Sequence, residues 1–210
     1  YEECSRILNL GTNELVIDIG SNDGNLLSNF KDKHRVLGIT PEEIGKIAIK
    51  RGIPTIIDYF SKNVVEKVKK EHGKAKLITA TNVFAHIDNV NQITKLIIDL
   101  LQDDGVFISE SHYLLPLITT LQYDTIYHEH MRYYSLHSLK YLFEQHGLEI
   151  FHVKEIPSHG GSIRVYCSRI GEYEIQETVS MLLTKERDVV IGVNNFKKFE
   201  DSVVLSKLKL

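Results

Sequence analysis

Cysteine is scarce in this chain of 210 residues: Cys4 and Cys167 are the only two, far apart and without a neighbouring thiol. That is too few for a disulfide scaffold and lacks the paired spacing of a zinc knuckle, so no metal site is expected from them. Both are expected to pack as small apolar residues. A basic excess is missing too. The formal net charge is −3, which leaves no surplus cation to neutralise phosphates along a nucleic acid. Small molecules are the expected ligands. Long apolar runs are absent: the stretch from Ile93 to Leu101 is broken by Lys95 and Asp99 and is too short to span a bilayer, so no membrane partner is expected. No cationic leader followed by an apolar segment opens the chain, and the cytoplasm is the expected location. The chain starts at Tyr1, and YEECSRILNL reads as the second half of a helix. A piece of something longer is therefore expected.

What is present is ordinary for a globular domain. Hydrophobic residues make up 42% and charged residues 25%, so the chain can bury a full core. Short apolar, β-branched runs alternate with helical patterns. Strands are expected at Leu15–Ile19, Val36–Ile39, Pro54–Ile57, Leu77–Thr81 and Val106–Ser109, the last after a turn at Asp104-Gly105. Helices are expected from Asn25, over Glu42–Arg51, over Lys62–His72 and over Gln92–Leu101. Such repetition argues a parallel sheet covered on both faces. Tyr113 to Tyr134 shows no clean period. A helix is then expected over Leu136–His146, closed by Gly147, and two strands at Glu149–Glu155 and Ser162–Arg169, joined by IPSHGGS. From Glu174 the pattern is helical, with KERD and KKFED placed on exposed faces. The division expected is a core over 1–171 and a helical tail over 172–210.

The stretch VIDIGSNDGNLL, Val16 to Leu27, carries the first chemistry. A buried strand ends in Asp18, and Gly20 and Gly24 bracket a tight turn into a helix. Glycine is needed where the backbone must turn sharply and admit a ligand, and ligands of open α/β sheets sit beyond the carboxyl ends of the strands. A dinucleotide fingerprint would want glycine at position 22, where this chain has Asn22. The spacing instead resembles the first motif of class I methyltransferases. That resemblance implies S-adenosylmethionine as cofactor, held by Asp18, Gly20, Ser21, Asn22 and Gly24. It also implies an acid at the end of the second strand to hold the ribose hydroxyls. Here Thr40 stands there, with Glu42 and Glu43 the nearest acids, and one hydroxyl replaces a carboxylate. Asp58, Tyr59 and Phe60 match the place where adenine is gripped, Phe60 equally reading as an aromatic strand cap. Asn82 and Val83 match the place that lines the methionine end.

Ten histidines are present, and QYDTIYHEHMRYYS, Gln122 to Ser135, holds His128, His130, Glu129 and four tyrosines. Three readings stay open for this segment. A His-x-His pair in extended chain faces one way and suits a metal, but no third ligand is evident and HEHMR lacks the second histidine of H-E-x-x-H. A polar aromatic loop stabilising the domain is the plain alternative. Catalysis is the third, because histidine titrates near neutrality and a neighbouring carboxylate can tune it. NVFAHIDN places His86 just past the fourth strand, either in the site or capping a helix near Asp88. SHGGSIR offers Ser162 and Arg164, either for a phosphate or as an ordinary hairpin.

Taken in order, IGSNDGNLL, NVFAHIDN, QYDTIYHEHMRYYS and HGGSIR resemble the sugar C-methyltransferases that act on nucleotide-linked keto-deoxysugars. The resemblance covers most of Val16 to Arg169. It implies a Rossmann-like class I methyltransferase fold, α/β, with a mostly parallel seven-stranded sheet and helices on both faces. It implies an enolate mechanism with His130 as base, Tyr127 and Glu129 as its supporting neighbours, and His86 as hydrogen-bond donor to the enolate oxygen. Ser162 and Arg164 would meet a substrate phosphate. Members of that family also carry a cysteine-rich zinc domain and a further Rossmann-like domain, and this chain matches the middle part, so no metal is expected here. Two alternatives remain: a methyltransferase acting on oxygen or nitrogen of another small molecule, and a non-catalytic binding module of the same fold.

Overall fold

Five consecutive residues, Leu15–Ile19, are buried in full, as a strand with helices on both faces requires. They form β1, near the centre of the sheet. The computed structural model describes residues 1–8 and 10–209; Asn9 and Leu210, which fall in the expected opening helix and tail, lie outside the described residues. In chain order the elements are α1 (Glu2–Leu8), β1 (Leu15–Ile19), α2 (Asn25–Ser28), β2 (Arg35–Thr40), α3 (Gly45–Lys50), β3 (Thr55–Ile57), α4 (Lys62–His72) and β4 (Ala75–Thr81). There follow α5 (Val90–Leu100), β5 (Leu101–His112), α6 (Leu114–Thr119), α7 (Leu136–Glu144), β6 (Leu148–Ile156), β7 (Ser162–Arg169), α8 (Glu177–Val190) and α9 (Val193–Leu208).

The sheet has seven strands in the order β3-β2-β1-β4-β5-β7-β6. Strands β1 to β5 pair in parallel, and β7 runs against both its neighbours. The order reverses between β1 and β4, so the carboxyl ends of these two strands open a crevice there. One core, with Val64 and Val68 of α4, Ile97 of α5, Leu139 of α7 and Leu182 of α8, covers one face. A second, with Leu8 of α1, Leu27 of α2 and Ala48 of α3, covers the other. The expected fold class is therefore the observed one.

Four local expectations need correction. The Asp104-Gly105 turn is a bulge inside a longer β5: pairing jumps from Ala75↔Leu101 to Leu77↔Val106. Lys76 Nζ spans it, 2.6 Å from the Asp104 carboxylate and 2.9 Å from its carbonyl oxygen. The aperiodic stretch after Tyr113 contains a short helix, α6. Glu186, within KERD, is fully buried rather than exposed. Its carboxylate accepts hydrogen bonds from the backbone N–H groups of Leu136 (2.5 Å) and His137 (2.9 Å), which are free at the start of α7. Finally, α8 is not a tail: Val179, Leu182 and Val190 are buried in the larger core.

Candidate functional site

The cofactor loop runs from β1 into α2 with three left-handed residues: Gly20 at φ 76°, Asn22 at 49° and Gly24 at 78°. Asparagine is among the few non-glycine residues that tolerate this region, so Asn22 keeps the turn without glycine. The two glycines serve packing as well as turning. A Cβ on Gly24 would lie 2.8 Å from Ile53 Cδ1 and 2.9 Å from Ala48 Cβ, and one on Gly20 would lie 2.5 Å from Val83 Cγ2. Gly20 thus touches the wall of the site, and Gly24 lies behind it.

Beyond β1, β2 and β4 lies a cavity of about 720 Å³. Asp18, Gly20, Ser21, Asn22, Thr40, Tyr59, Phe60, Asn82, Val83 and His86 line it; Gly24 and Asp58 do not. Asp18 is buried and accepts a hydrogen bond from Thr79 Oγ1 at 2.6 Å. Loss of hydration raises its pKa to about 7. Thr40 is buried and its hydroxyl accepts from the Glu42 backbone N–H at 3.4 Å. Glu42 lines the cavity, whereas Glu43 pairs with Lys46. The carboxylate that Thr40 lacks is therefore available two residues further on.

A second cavity, about 350 Å³, is lined by Asn82, His86, His112, Thr125, Tyr127, His130 and His159. Asn82 and His86 line both cavities, so the two spaces meet at the end of β4. Asn82 sits at φ 55° with its N–H donating to the Glu110 carbonyl at 2.8 Å, an uncommon conformation of the sort found at functional sites.

The YHEH segment is clamped onto the turn after β4. Met131 N–H donates to the Ala85 carbonyl at 3.0 Å, Tyr134 Oη to the Phe84 carbonyl at 3.2 Å, and Arg132 to the carbonyls of Ile87 and Asp88 at 2.5 and 2.8 Å. His86 Nδ1 lies 3.0 Å from the Glu129 carbonyl oxygen, and His130 Nε2 lies 2.9 Å from Tyr127 Oη. The His86 and His130 rings are 4.9 Å apart. Burial, followed by the neighbouring His86 and His112, holds the His130 pKa below its ordinary value. His86, Tyr127 and His130 are thus brought together, while Glu129 joins them through its backbone. The helix after this turn, α5, is capped by Asn89 rather than by His86.

Ser162 and Arg164 line neither cavity. Arg164 bonds Glu110 through Nε (2.8 Å) and Nη2 (2.7 Å), and Glu3 through Nη1 (3.1 Å). Three of its five N–H groups thus face carboxylates, so the structure engages Arg164 in ion pairs rather than placing it at either cavity as expected. Ser162 Oγ donates to the Ser158 carbonyl at 3.2 Å. Ser162 thereby ties down the loop from which His159 reaches the second cavity. His159 and His112 were missed from the sequence. The glycine pair of SHGGSIR was the available signal for His159; His112 sits in an unremarkable strand end.

Among the described residues no cluster of three or more metal-ligating side chains occurs, and no helix is long and apolar enough to cross a membrane.

The strand order and the crevice at its reversal define the class: a Rossmann-like class I methyltransferase. The sequence profile described as a methyltransferase domain matches residues 2–153. The chain belongs to this family and is an S-adenosylmethionine-dependent methyltransferase domain. It is 37% identical over 187 residues to the C-methyltransferase NovU of Streptomyces niveus, an alignment covering 88% of this chain and 44% of that protein. The chain thus spans less than half the length of that relative. In fold it resembles an S-adenosylmethionine-dependent methyltransferase from Clostridium acetobutylicum, with TM-score 0.61, 15% identity, and coverage of 81% of this chain and 89% of that one. It also resembles the magnesium protoporphyrin IX methyltransferase of Synechocystis with bound SAH: TM-score 0.56, 13% identity, 75% and 74% coverage.

The residues present suit the cofactor of this class. Ser21 Oγ is buried beside the turn without a hydrogen-bond partner among the described residues, Glu42 adds a carboxylate to the lining, and Tyr59 and Phe60 supply aromatic faces.

Proposed function

We propose that this domain transfers a methyl group to a carbon atom of a nucleotide-linked keto-deoxysugar through an enolate. The observation that carries the reading is the second cavity. Its lining holds four imidazoles, a phenol, a hydroxyl and an amide, and no carboxylate, ammonium or guanidinium. A carbon acid beside a ketone needs a base that is unprotonated near neutral pH and a hydrogen-bond donor at its oxygen, roles that imidazole and phenol can fill, and the developing enolate is helped by a wall without fixed negative charge. The likeness to a C-methyltransferase supports the same reading.

Asp18, Ser21, Asn22, Glu42, Tyr59, Phe60 and Val83 would hold S-adenosylmethionine in the larger cavity. When bound, it supplies an electrophilic methyl carbon on a sulfonium. Asn82 and His86, shared by both cavities, would bring the reacting carbon into line with it. Tyr127 and His130 lie on the substrate side.

Proton removal can be tested apart from methyl transfer. The protein is incubated in heavy water with the demethylated cofactor and a nucleotide-linked keto-deoxyhexose, and the sugar is followed by proton NMR. Enzyme-dependent loss of the signal next to the ketone is expected. A substrate that accepts methyl groups with no such exchange would point to transfer onto oxygen or nitrogen.

A further inference from the structure

Glu186 stands in α8, beyond residue 153 where the match to the methyltransferase profile ends. Its side chain is fully buried, and a buried carboxylate is costly unless hydrogen-bond donors surround it. Three donors do. Oε1 accepts from the Leu136 N–H at 2.5 Å, and Oε2 accepts from the His137 N–H at 2.9 Å and from His137 Nδ1 at 2.5 Å. This cap does not duplicate a local one. Ser135 and Ser138 form a reciprocal capping box, in which the Ser138 N–H donates to Ser135 Oγ at 3.1 Å. The box leaves the first two N–H groups of α7 unsatisfied, and Glu186 takes both.

The start of α7 is also the end of the segment that walls the second cavity. Tyr134, two residues before Leu136, accepts the Leu114 N–H at its carbonyl (2.9 Å) and donates its hydroxyl to the Phe84 carbonyl (3.2 Å). Beside it, Tyr133 Oη accepts the Tyr127 N–H at 3.1 Å and donates to the Thr125 carbonyl at 3.1 Å. Thr125 and Tyr127 line the cavity. A continuous set of hydrogen bonds therefore runs from the cavity wall, through Tyr133 and Tyr134, to the two N–H groups that Glu186 holds.

We propose that Glu186 is a positioning residue for the substrate cavity. By fixing the first turn of α7 against α8, it sets the place of the Thr125–Tyr134 segment and of the side chains that this segment presents. Glu186 itself lines neither cavity. The inference rests on the reading of the second cavity as the substrate site, and it makes α8 part of the catalytic unit.

Glu186→Ala removes both acceptor oxygens. Leu182→Ala is the control, because Leu182 is buried in the same helix and its loss weakens packing without touching the cap. Both are compared with the wild type at a temperature where all are folded. In the heavy-water assay with a nucleotide-linked keto-deoxyhexose, kcat for exchange should fall about a hundred-fold in Glu186→Ala, the scale of a displaced reacting group. It should stay within about three-fold in Leu182→Ala, and Glu186→Gln, which keeps one acceptor, should lie within about ten-fold of the wild type. Affinity for S-adenosylhomocysteine by calorimetry should stay within about two-fold in all three, since neither residue lines the cofactor cavity. If Glu186→Ala does not fold, Glu186→Asp, whose carboxylate sits one methylene short of the two N–H groups, takes its place with the same expectation. A Glu186→Ala protein that exchanges as well as Leu182→Ala overturns the proposal, and so does cofactor affinity that falls in parallel with exchange. A wild-type protein with no exchange sinks the substrate reading. Histidine ring NMR, assigned with His86→Asn and His130→Gln, then judges the positioning alone. Glu186→Ala should move the His86 and His130 ring signals and Leu182→Ala should not; signals unmoved in both overturn it.

Discussion

Asp18→Asn should stabilise the protein at about pH 8 and leave it unchanged or slightly weaker at about pH 5. Asp18 is buried, and its one side-chain hydrogen bond, from Thr79, does not offset the lost hydration, so its pKa rises from 3.8 to about 7. The folded state therefore holds this proton more tightly than the unfolded chain does. The associated stability is complete below the unfolded pKa, declines as pH rises toward 7, and is gone above the folded pKa. A shift of this size corresponds to roughly 4 kcal/mol. Asparagine removes the charge but buries an amide whose N–H₂ needs an acceptor, which costs about 1–2 kcal/mol. A net gain of about 2 kcal/mol is expected at the higher pH. The assay is urea unfolding of both proteins, without cofactor, at the two pH values, reading midpoints at constant slope. Buried His34 and His112 and half-buried His130, His146 and His152 have lowered pKa values. They add an opposite trend, stability lost as pH falls below about 6.5, which cancels in the difference between variant and wild type. A difference that does not change with pH would refute the reasoning.

Further outcomes follow from the same geometry. Glu42→Gln should weaken binding of S-adenosylhomocysteine about ten-fold by calorimetry, the scale of one charged hydrogen bond. Thr40→Glu should destabilise the fold rather than tighten binding, because position 40 is buried and its hydroxyl is already engaged. Gly24→Ala should cost about 2–4 kcal/mol, combining a left-handed backbone with close approach to Ile53 and Ala48. Gly147→Ala has the same sign of φ but open space around it, and should cost about 1 kcal/mol. Glu186→Ala should cost about 3 kcal/mol in thermal or urea unfolding, since a buried and a half-buried N–H group at the start of α7 lose their acceptor. Glu186→Gln should recover much of that loss.

Much of the architecture was legible because local signals agreed. The helical pattern over Lys62–His72 is α4 with the same bounds, and Ser61 caps it through its side chain. The apolar run at β1 and the glycine-bracketed turn after it marked the crevice. Where the reading failed, the cause was tertiary. Three residues bulging between Leu101 and Val106 looked like a turn. Glu186 looked solvated because the N–H groups that it caps lie fifty residues earlier in the chain. Arg164 looked free because its partners, Glu3 and Glu110, come from the first helix and a neighbouring strand. His86, Tyr127 and His130 were found by residue type and motif. The direction of each hydrogen bond was not, since it depends on which carbonyl or hydroxyl the fold brings to each nitrogen.

Carbon methylation is the central claim, and the bond made to the methyl group tests it most directly. The protein would be given S-adenosylmethionine labelled with carbon-13 in the methyl group, together with a nucleotide-linked keto-deoxyhexose, and the product examined by carbon NMR. The account predicts one new methyl signal coupled to a sugar carbon, absent when the protein is left out. A methyl signal on oxygen or nitrogen, with none on a sugar carbon, would contradict it.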